Sequence, residues 1–326
     1  MPINKIKFMK NLIKLIKILF SPFIFVLGFI YFLIFKKNYE LIHQSYVKAY
    51  CFTSGGISWL CTILIVFIEN LNFWKKNVTL GKKSMDVVEI IKRRGYVVLD
   101  EKLDESFVAA LNCLTKKIKC KSNDEPGKAS SSVIFNENLH TESTYRYDEL
   151  ELVEHKATKD VINFFLDLNI AKKYLGSKPH LIGVNMWWST AQNIPNEFAA
   201  QNFHFDLDGI KWLKHFVYLS DVSDENGPHV YVEGTHKVFS KPYSLLKKGY
   251  TRITDIEINK YFPKDKIHEI KGDKGTIIIG DTSCFHKGRH PTKGKRLIFE
   301  ITLSNSTFGP RIINNFPINK IYNEHN

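Results

Sequence analysis

His204 and Asp206 stand two residues apart, and His286 and then Arg296 follow far downstream. Two imidazoles and a carboxylate share one ion only if distant parts of the chain meet within a fraction of an ångström. The pattern therefore demands a rigid framework around residues 204–296. In an extended segment the side chains at i and i+2 point to one face, so His204 and Asp206 can reach the same ion. His286 must arrive from another strand or its end. The imidazoles bind neutral and the carboxylate ionised. Two histidines and one carboxylate form the facial set that holds Fe(II) and leaves coordination positions open. Those positions can take a bidentate 2-oxo acid and then dioxygen.

Each element alone is weak, because the chain holds 12 histidines. His290 could replace His286, but it precedes Pro291 in a turn-like stretch. His229 and His236 are rival third ligands, and Asp208 is a rival to Asp206. His236 lies in Glu233-Gly234-Thr235-His236-Lys237, which reads as a turn in which a histidine caps. Arg296 is followed by Leu297, Ile298 and Phe299, a buried-looking strand. A guanidinium entering such a strand requires an anion, and the far carboxylate of 2-oxoglutarate would pair with it bidentately.

The short apolar runs at 181–188, 213–219, 229–233, 276–280 and 296–303 are separated by turn signals such as Asp224-Glu225-Asn226-Gly227. Short strands at this spacing predict a β-sandwich or jelly roll, with both ends of the triad inside it. Ahead of it, Ser84 caps a helix that ends at Gly95, and Tyr96-Val97-Val98-Leu99 is β-rich. Asp104 opens a helix whose Phe107, Val108, Leu111, Leu114 and Ile118 recur at helical spacing. Residues 121–132 read as a polar loop or lid, and a further helix is expected over 160–168. Trp187, Trp188 and Trp212 either line a pocket or fill the core.

Residues 18–35 and 49–68 carry no charge. As helices they would rise roughly 27 and 30 Å, close to the thickness of a bilayer's hydrocarbon. With a polar loop at 36–48 between them, they predict a membrane helical hairpin. Its first half of the second segment, Tyr50 to Gly56, is weakly apolar and also fits an interfacial or re-entrant element. Tyr46 and Trp74 would be interfacial aromatics. Lys5, Lys7, Lys10, Lys14 and Lys17 precede the first segment, and Lys75, Lys76, Lys82 and Lys83 follow the second. The positive-inside rule then places both flanks, and the catalytic part, in the cytoplasm. No small-residue cleavage site follows the first segment, which argues against a signal peptide. Three parts are expected: membrane-anchoring segments over 1–70, a basic linker over 71–83 and a catalytic domain over 84–326.

The net charge of +13 is partly this lysine distribution. No nucleic-acid-binding signature or arginine-rich run accompanies it, and no nucleic-acid partner is expected. Cys51, Cys61, Cys113, Cys120 and Cys284 are odd in number and lack a CxxC pair, which argues against a disulfide framework or a structural zinc site.

Four ordered blocks resemble the phytanoyl-CoA dioxygenase family over roughly residues 88–305: Gly95 to Leu99 with the Asp104 helix, His204-Phe205-Asp206, Glu225 to Lys237, and Gly280-Asp281 through Phe285-His286-Lys287-Gly288 to Arg296. Two positions depart from the family pattern. Phe205 stands where Gln is more common, and Glu233 stands where Pro is usual. The resemblance implies a double-stranded β-helix, with His204, Asp206 and His286 holding Fe(II) and Arg296 holding 2-oxoglutarate. With O₂, it implies hydroxylation of a C–H bond and release of succinate.

The sequence thus predicts an α+β protein: a jelly-roll catalytic domain with flanking helices behind a membrane hairpin. Its expected partners are a bilayer and a small-molecule or lipid-like substrate. A non-catalytic binding module on the same fold, or a metal enzyme without 2-oxoglutarate, are the alternatives, and Arg296 discriminates the last.

Overall fold

Strand Lys295–Ser304 alternates between two faces, and that alternation organises the molecule. Leu297, Phe299, Ile301 and Leu303 enter one core, while Arg296 and Glu300 point into a cavity on the other side. The computed structural model describes residues 20–72, 82–122, 131–136, 141–192 and 201–310.

Its strands, in chain order, are β1 (Tyr96–Val98), β2 (Cys120–Ser122), β3 (Ser131–Val133), β4 (Thr144–Tyr147), β5 (His180–Thr190), β6 (Trp212–Tyr218), β7 (His229–Val232), β8 (Ile267–Ile270), β9 (Ile277–Gly280), β10 (His286–Gly288) and β11 (Lys295–Ser304). The helices are α1 (Phe20–Phe35), α2 (Glu40–Thr53), α3 (Gly56–Asn72), α4 (Lys82–Arg94), α5 (Glu105–Leu114), α6 (Glu149–Glu154), α7 (Lys156–Asp167), α8 (Ile170–Leu175), α9 (Tyr243–Leu246) and α10 (Asp255–Asn259).

An eight-stranded sheet runs β1-β9-β6-β11-β5-β4-β2-β3, and a three-stranded sheet runs β10-β7-β8. All the pairings are antiparallel. This is the mixed helix and antiparallel-sheet architecture expected of a jelly roll. Apolar residues of α5 to α8, among them Leu111, Phe165 and Tyr174, cover the outer face of the large sheet. The site lies on its inner face. The register sets Arg296 opposite Ser189 and Glu300 opposite both Asn185 and Phe216.

Of the local signals before the sheet, Ser84 does not cap α4, which begins two residues earlier at Lys82, while the Asp104 and Gly95 signals hold. Asp104 caps α5, its carboxylate accepting from the Ser106 N–H at 2.8 Å. Gly95 follows α4 at φ 91°. A Cβ there would lie 2.3 Å from the Cys284 sulfur and 2.7 Å from His236 Nδ1, so glycine is required by space as well as by conformation. The expected lid lies mainly outside the described residues, although its ends form β2 and β3.

The N-terminal hairpin differs from expectation. Among the described residues no single helix is long and apolar enough to cross a membrane. The expected second segment is broken: α2 and α3 meet at 116°. Ser54 at φ 49° and Gly55 at φ 86° take left-handed conformations that end α2. Most of the expected polar loop is itself helical, since α2 begins at Glu40.

These helices share a core with the rest of the protein. Phe25, Phe29 and Phe32 of α1 pack edge-on to Phe308, with ring centroids 5.8, 5.8 and 5.4 Å away. Tyr46, expected at a membrane interface, is fully buried, and its hydroxyl donates to the Gly209 carbonyl at 2.8 Å. Hydropathy registers that a phenylalanine leaves water. It does not register whether lipid or Phe308 receives it.

Candidate metal centre

The segment around residue 204 is extended but is not a full strand. His204 forms a single bridge with His286, the first residue of β10, through paired bonds of 2.9 and 2.8 Å. On the other side of the same segment Phe203 bridges Ile253. The side chains alternate as an extended backbone dictates. His204 and Asp206 turn into the cavity, and Phe205 turns away into a core against Phe285 and Tyr50. One extended bridge thus supplies the geometry expected of a strand.

His204, Asp206 and His286 bring one donor atom each to within 4.8 Å of one another. His204 Nε2 lies 3.7 Å from one Asp206 oxygen, and His286 Nε2 lies 3.6 Å from the other. Each imidazole is oriented by its own backbone. The Nδ1 of His204 is 3.0 Å from the Asn202 carbonyl, and that of His286 is 3.0 Å from the Cys284 carbonyl. A carbonyl only accepts, so Nδ1 carries the proton in both rings and Nε2 presents its lone pair to the centre.

Burial pushes both histidines below the usual imidazole range, which keeps them neutral. Burial of Asp206 opposes ionisation, but the ammonium of Lys214 outweighs it and holds the carboxyl well below its ordinary range. This donor set and its protonation fit a divalent cation.

Lys214 sits 2.9 Å from Asp206, 2.9 Å from Asp208 and 3.7 Å from Glu300. Glu300 in turn accepts from Asn185 at 3.2 Å and from the Thr302 hydroxyl at 2.8 Å. Sequence reasoning missed Lys214 and Glu300. The rule applied to Arg296, a charge within an apolar strand, would have found both, since each is flanked by Leu213 or by Phe299 and Ile301.

Arg296 is 3% exposed and lines the same cavity. Its Nε and one terminal nitrogen have no hydrogen-bond partner among the described residues. The other terminal nitrogen is 3.4 Å from Ser189 Oγ. Burial lowers its pKa to about 10, so it remains a cation near neutrality.

The rival ligands fall elsewhere. Asp208 lines the cavity on Lys214, outside the three-residue cluster. His229 also lines the cavity, stacked 6.0 Å from Tyr218, and is likewise outside the cluster. His290 Nε2 is engaged by the Gln192 carbonyl at 2.9 Å, and His236 Nε2 by the Lys92 carbonyl at 3.1 Å.

The cavity holds about 420 Å³ and is markedly polar, with Arg146, Asn185, Gln201, Tyr250 and Arg252 on its walls. Of the three tryptophans only Trp187 reaches it, with the Arg146 guanidinium 5.1 Å above its ring. Trp188 is buried against Phe135, and Trp212 is buried with its indole N–H on Thr282.

No protein-family model matches the chain, and no curated protein matches it significantly. Among solved structures it is similar to HygX from Streptomyces hygroscopicus with nickel, 2-oxoglutarate and hygromycin B bound. That likeness is at 14% identity and TM-score 0.48, over 71% of this chain and 89% of that one. The epimerase SnoN in complex with Fe3+, alpha ketoglutarate and nogalamycin RO is similar at 15% identity and TM-score 0.49, over 72% and 90% of the two chains. The carbocyclase SnoK from nogalamycin biosynthesis is similar at 14% identity and TM-score 0.45, over 69% and 84%.

Proposed function

We propose that this protein is an Fe(II)/2-oxoglutarate-dependent dioxygenase, akin to the phytanoyl-CoA dioxygenases, that hydroxylates a C–H bond of a small-molecule or lipid-like substrate. The observation that carries this reading is Arg296: a buried guanidinium with two nitrogens unpartnered among the described residues, in the cavity that His204, Asp206 and His286 also line. A charge left so is costly unless an anion completes it. His204, Asp206 and His286 would hold the iron, and Arg296 with Ser189 would hold the distal carboxylate of 2-oxoglutarate. When bound, iron, 2-oxoglutarate and O₂ would supply the oxidation, with the co-substrate leaving as succinate and CO₂, one oxygen atom going to succinate and the other to the hydroxylated product.

The chain's own residues position and shield that chemistry. The Asn202 and Cys284 carbonyls fix the imidazole rings. Lys214 keeps Asp206 ionised. The polar walls favour a substrate that presents hydroxyl, amide or anionic groups near the reacting carbon, with Arg252 and Tyr250 placed to receive them. Residues 1–70 serve as the membrane-attaching part and 84–326 as the oxygenase, joined by the basic stretch 71–83 and facing the cytoplasm, where Fe(II) and 2-oxoglutarate are available.

The test is anaerobic titration of the Fe(II)-loaded protein with 2-oxoglutarate, followed by succinate release on admitting air. A visible charge-transfer band that appears with the native protein and not with Arg296→Ala at the same concentration supports the reading. A protein that binds no iron, or that binds iron but gives no band and no succinate, sinks it.

A further inference from the structure

Helices α1 and α3 are apolar on two faces, and only one face of each meets the protein. In α1 the inner face carries Phe25, Phe29 and Phe32. The outer face carries Phe20, Phe23, Leu27, Ile30 and Ile34, all exposed, at the three-and-four spacing of a single helical stripe. In α3 the outer stripe is Trp59, Leu60, Ile63, Leu64 and Phe67, again exposed. Phe239 adds to the same surface. Its backbone N–H donates to the Ser54 carbonyl at 3.0 Å, its ring lies beside Gly56, and it is 77% exposed. Its φ of 62° is strained for a phenylalanine, so the fold spends conformational energy to present that ring outward. Exposed apolar stripes on two helices, with an outward-facing aromatic ring at the start of α3, mark an interaction face.

Charge selects the occupant. Residues 1–83 contain 12 lysines and two acidic residues, Glu40 and Glu69. A second copy of residues 1–83 would bring like charge to like charge. An anionic lipid surface would be attracted. The way the helices are fastened selects the geometry. Besides the Phe25, Phe29 and Phe32 contacts to Phe308, His43 Nε2 is 3.1 Å from the Leu207 carbonyl, the Tyr46 hydroxyl donates to the Gly209 carbonyl, and the Ser58 hydroxyl donates to the Ile210 carbonyl. Helices tied to the enzyme body along one face cannot leave it to cross a bilayer, and only the opposite face is free to enter lipid.

We propose that α1–α3 lie in the plane of one leaflet of an anionic phospholipid bilayer, with their outer stripes and Phe239 among the acyl chains and no helix crossing. This rests on the membrane attachment given under the proposed function and replaces a spanning hairpin with an in-plane one. Such helices bind through buried apolar area plus attraction to anionic headgroups. The arrangement also places the cavity close to the lipid. Tyr50 of α2 stacks 5.9 Å from Phe205, and Phe205 meets Tyr250 of the cavity wall at 5.9 Å, so one ring separates the membrane-facing layer from the site.

The experiment is flotation of the full chain with phosphatidylglycerol–phosphatidylcholine vesicles and with phosphatidylcholine vesicles alone, combined with tryptophan quenching by brominated lipids. Binding should be stronger to the anionic vesicles and weaken in high salt. Quenching should be greatest for lipid brominated near the glycerol end and should drop in Trp59→Phe. Phe239→Ser with Trp59→Ser should lower partitioning about tenfold, and Lys36→Glu with Lys37→Glu should lower it for anionic vesicles only. The charge variants test the same point should the apolar ones misfold. Strongest quenching by lipid brominated at the bilayer midplane would establish a crossing helix and overturn the proposal. So would a protein that self-associates through this face and ignores vesicles. Iron binding and succinate formation, followed in the same preparations, separate failure of docking from failure of the oxygenase reading.

Discussion

Single substitutions divide the site into the group that would hold metal and the group that would hold co-substrate. His204→Ala, Asp206→Ala and His286→Ala each remove one donor from a three-donor cluster, and iron stoichiometry after anaerobic reconstitution should fall towards zero in all three. His290→Ala should keep full iron content, because that ring is engaged by Gln192. Arg296→Ala should leave iron content intact and raise the apparent KM for 2-oxoglutarate on the order of a hundredfold, as the loss of a bidentate charged contact worth about 3 kcal/mol requires. Arg296→Lys should recover part of that, since an ammonium restores the charge without the fork. An equal rise in KM for the prime substrate would place Arg296 elsewhere in the chemistry.

At the scale of elements, β6 carries two testable groups on opposite faces. Lys214 faces three carboxylates on the site side. Lys214→Met strands those charges in a buried pocket and should destabilise the metal-free protein by about 3 kcal/mol in urea unfolding, with a smaller loss once a divalent cation takes over the charge of Asp206. His215 faces the helices, 4.9 Å from Phe165, and burial pushes its pKa down to about 3. Below about pH 6.5 the unfolded chain gains a proton that the folded protein refuses. Stability should therefore fall by roughly 1.4 kcal/mol per pH unit from there towards pH 3. His215→Leu should flatten that part of the acid profile.

The same strand shows what the sequence made legible. Short apolar runs bounded by turn signals announced β5, β6, β7, β9 and β11 close to their limits, because strands buried on both faces read as nearly continuous apolar stretches. The convergence of His204, Asp206 and His286, and the burial of Arg296 beside them, were legible from residue type and spacing. Lys214 and Glu300 stand out in their apolar strands as Arg296 does, but their pairing with each other and with Asp206 and Asp208 was not legible, because those partners come from distant segments. The break at Ser54-Gly55 was visible only as weak hydropathy, since nothing local says that a left-handed turn will be used there.

For the whole molecule, the consequence concerns how membrane attachment and the metal centre depend on each other. The chain from Phe203 to Trp212 carries two of the three candidate ligands, and its apolar residues share one core with α1, α2 and α3. The carbonyls of Leu207, Gly209 and Ile210 are met by side chains of α2 and α3, and Phe205, between the ligands, stacks on Tyr50. Removing residues 1–70 would expose that core and leave those carbonyls without their donors. The truncated protein should bind iron more weakly and melt lower than the full chain. A milder probe is Phe308→Ala, which removes the ring on which Phe25, Phe29 and Phe32 converge and should cost about 3–5 kcal/mol. Hydrogen exchange should then report faster opening of α1 and of residues 203–212 together. If α1 loosens while 203–212 and iron affinity stay unchanged, the helices serve attachment alone, and the metal centre is built without them.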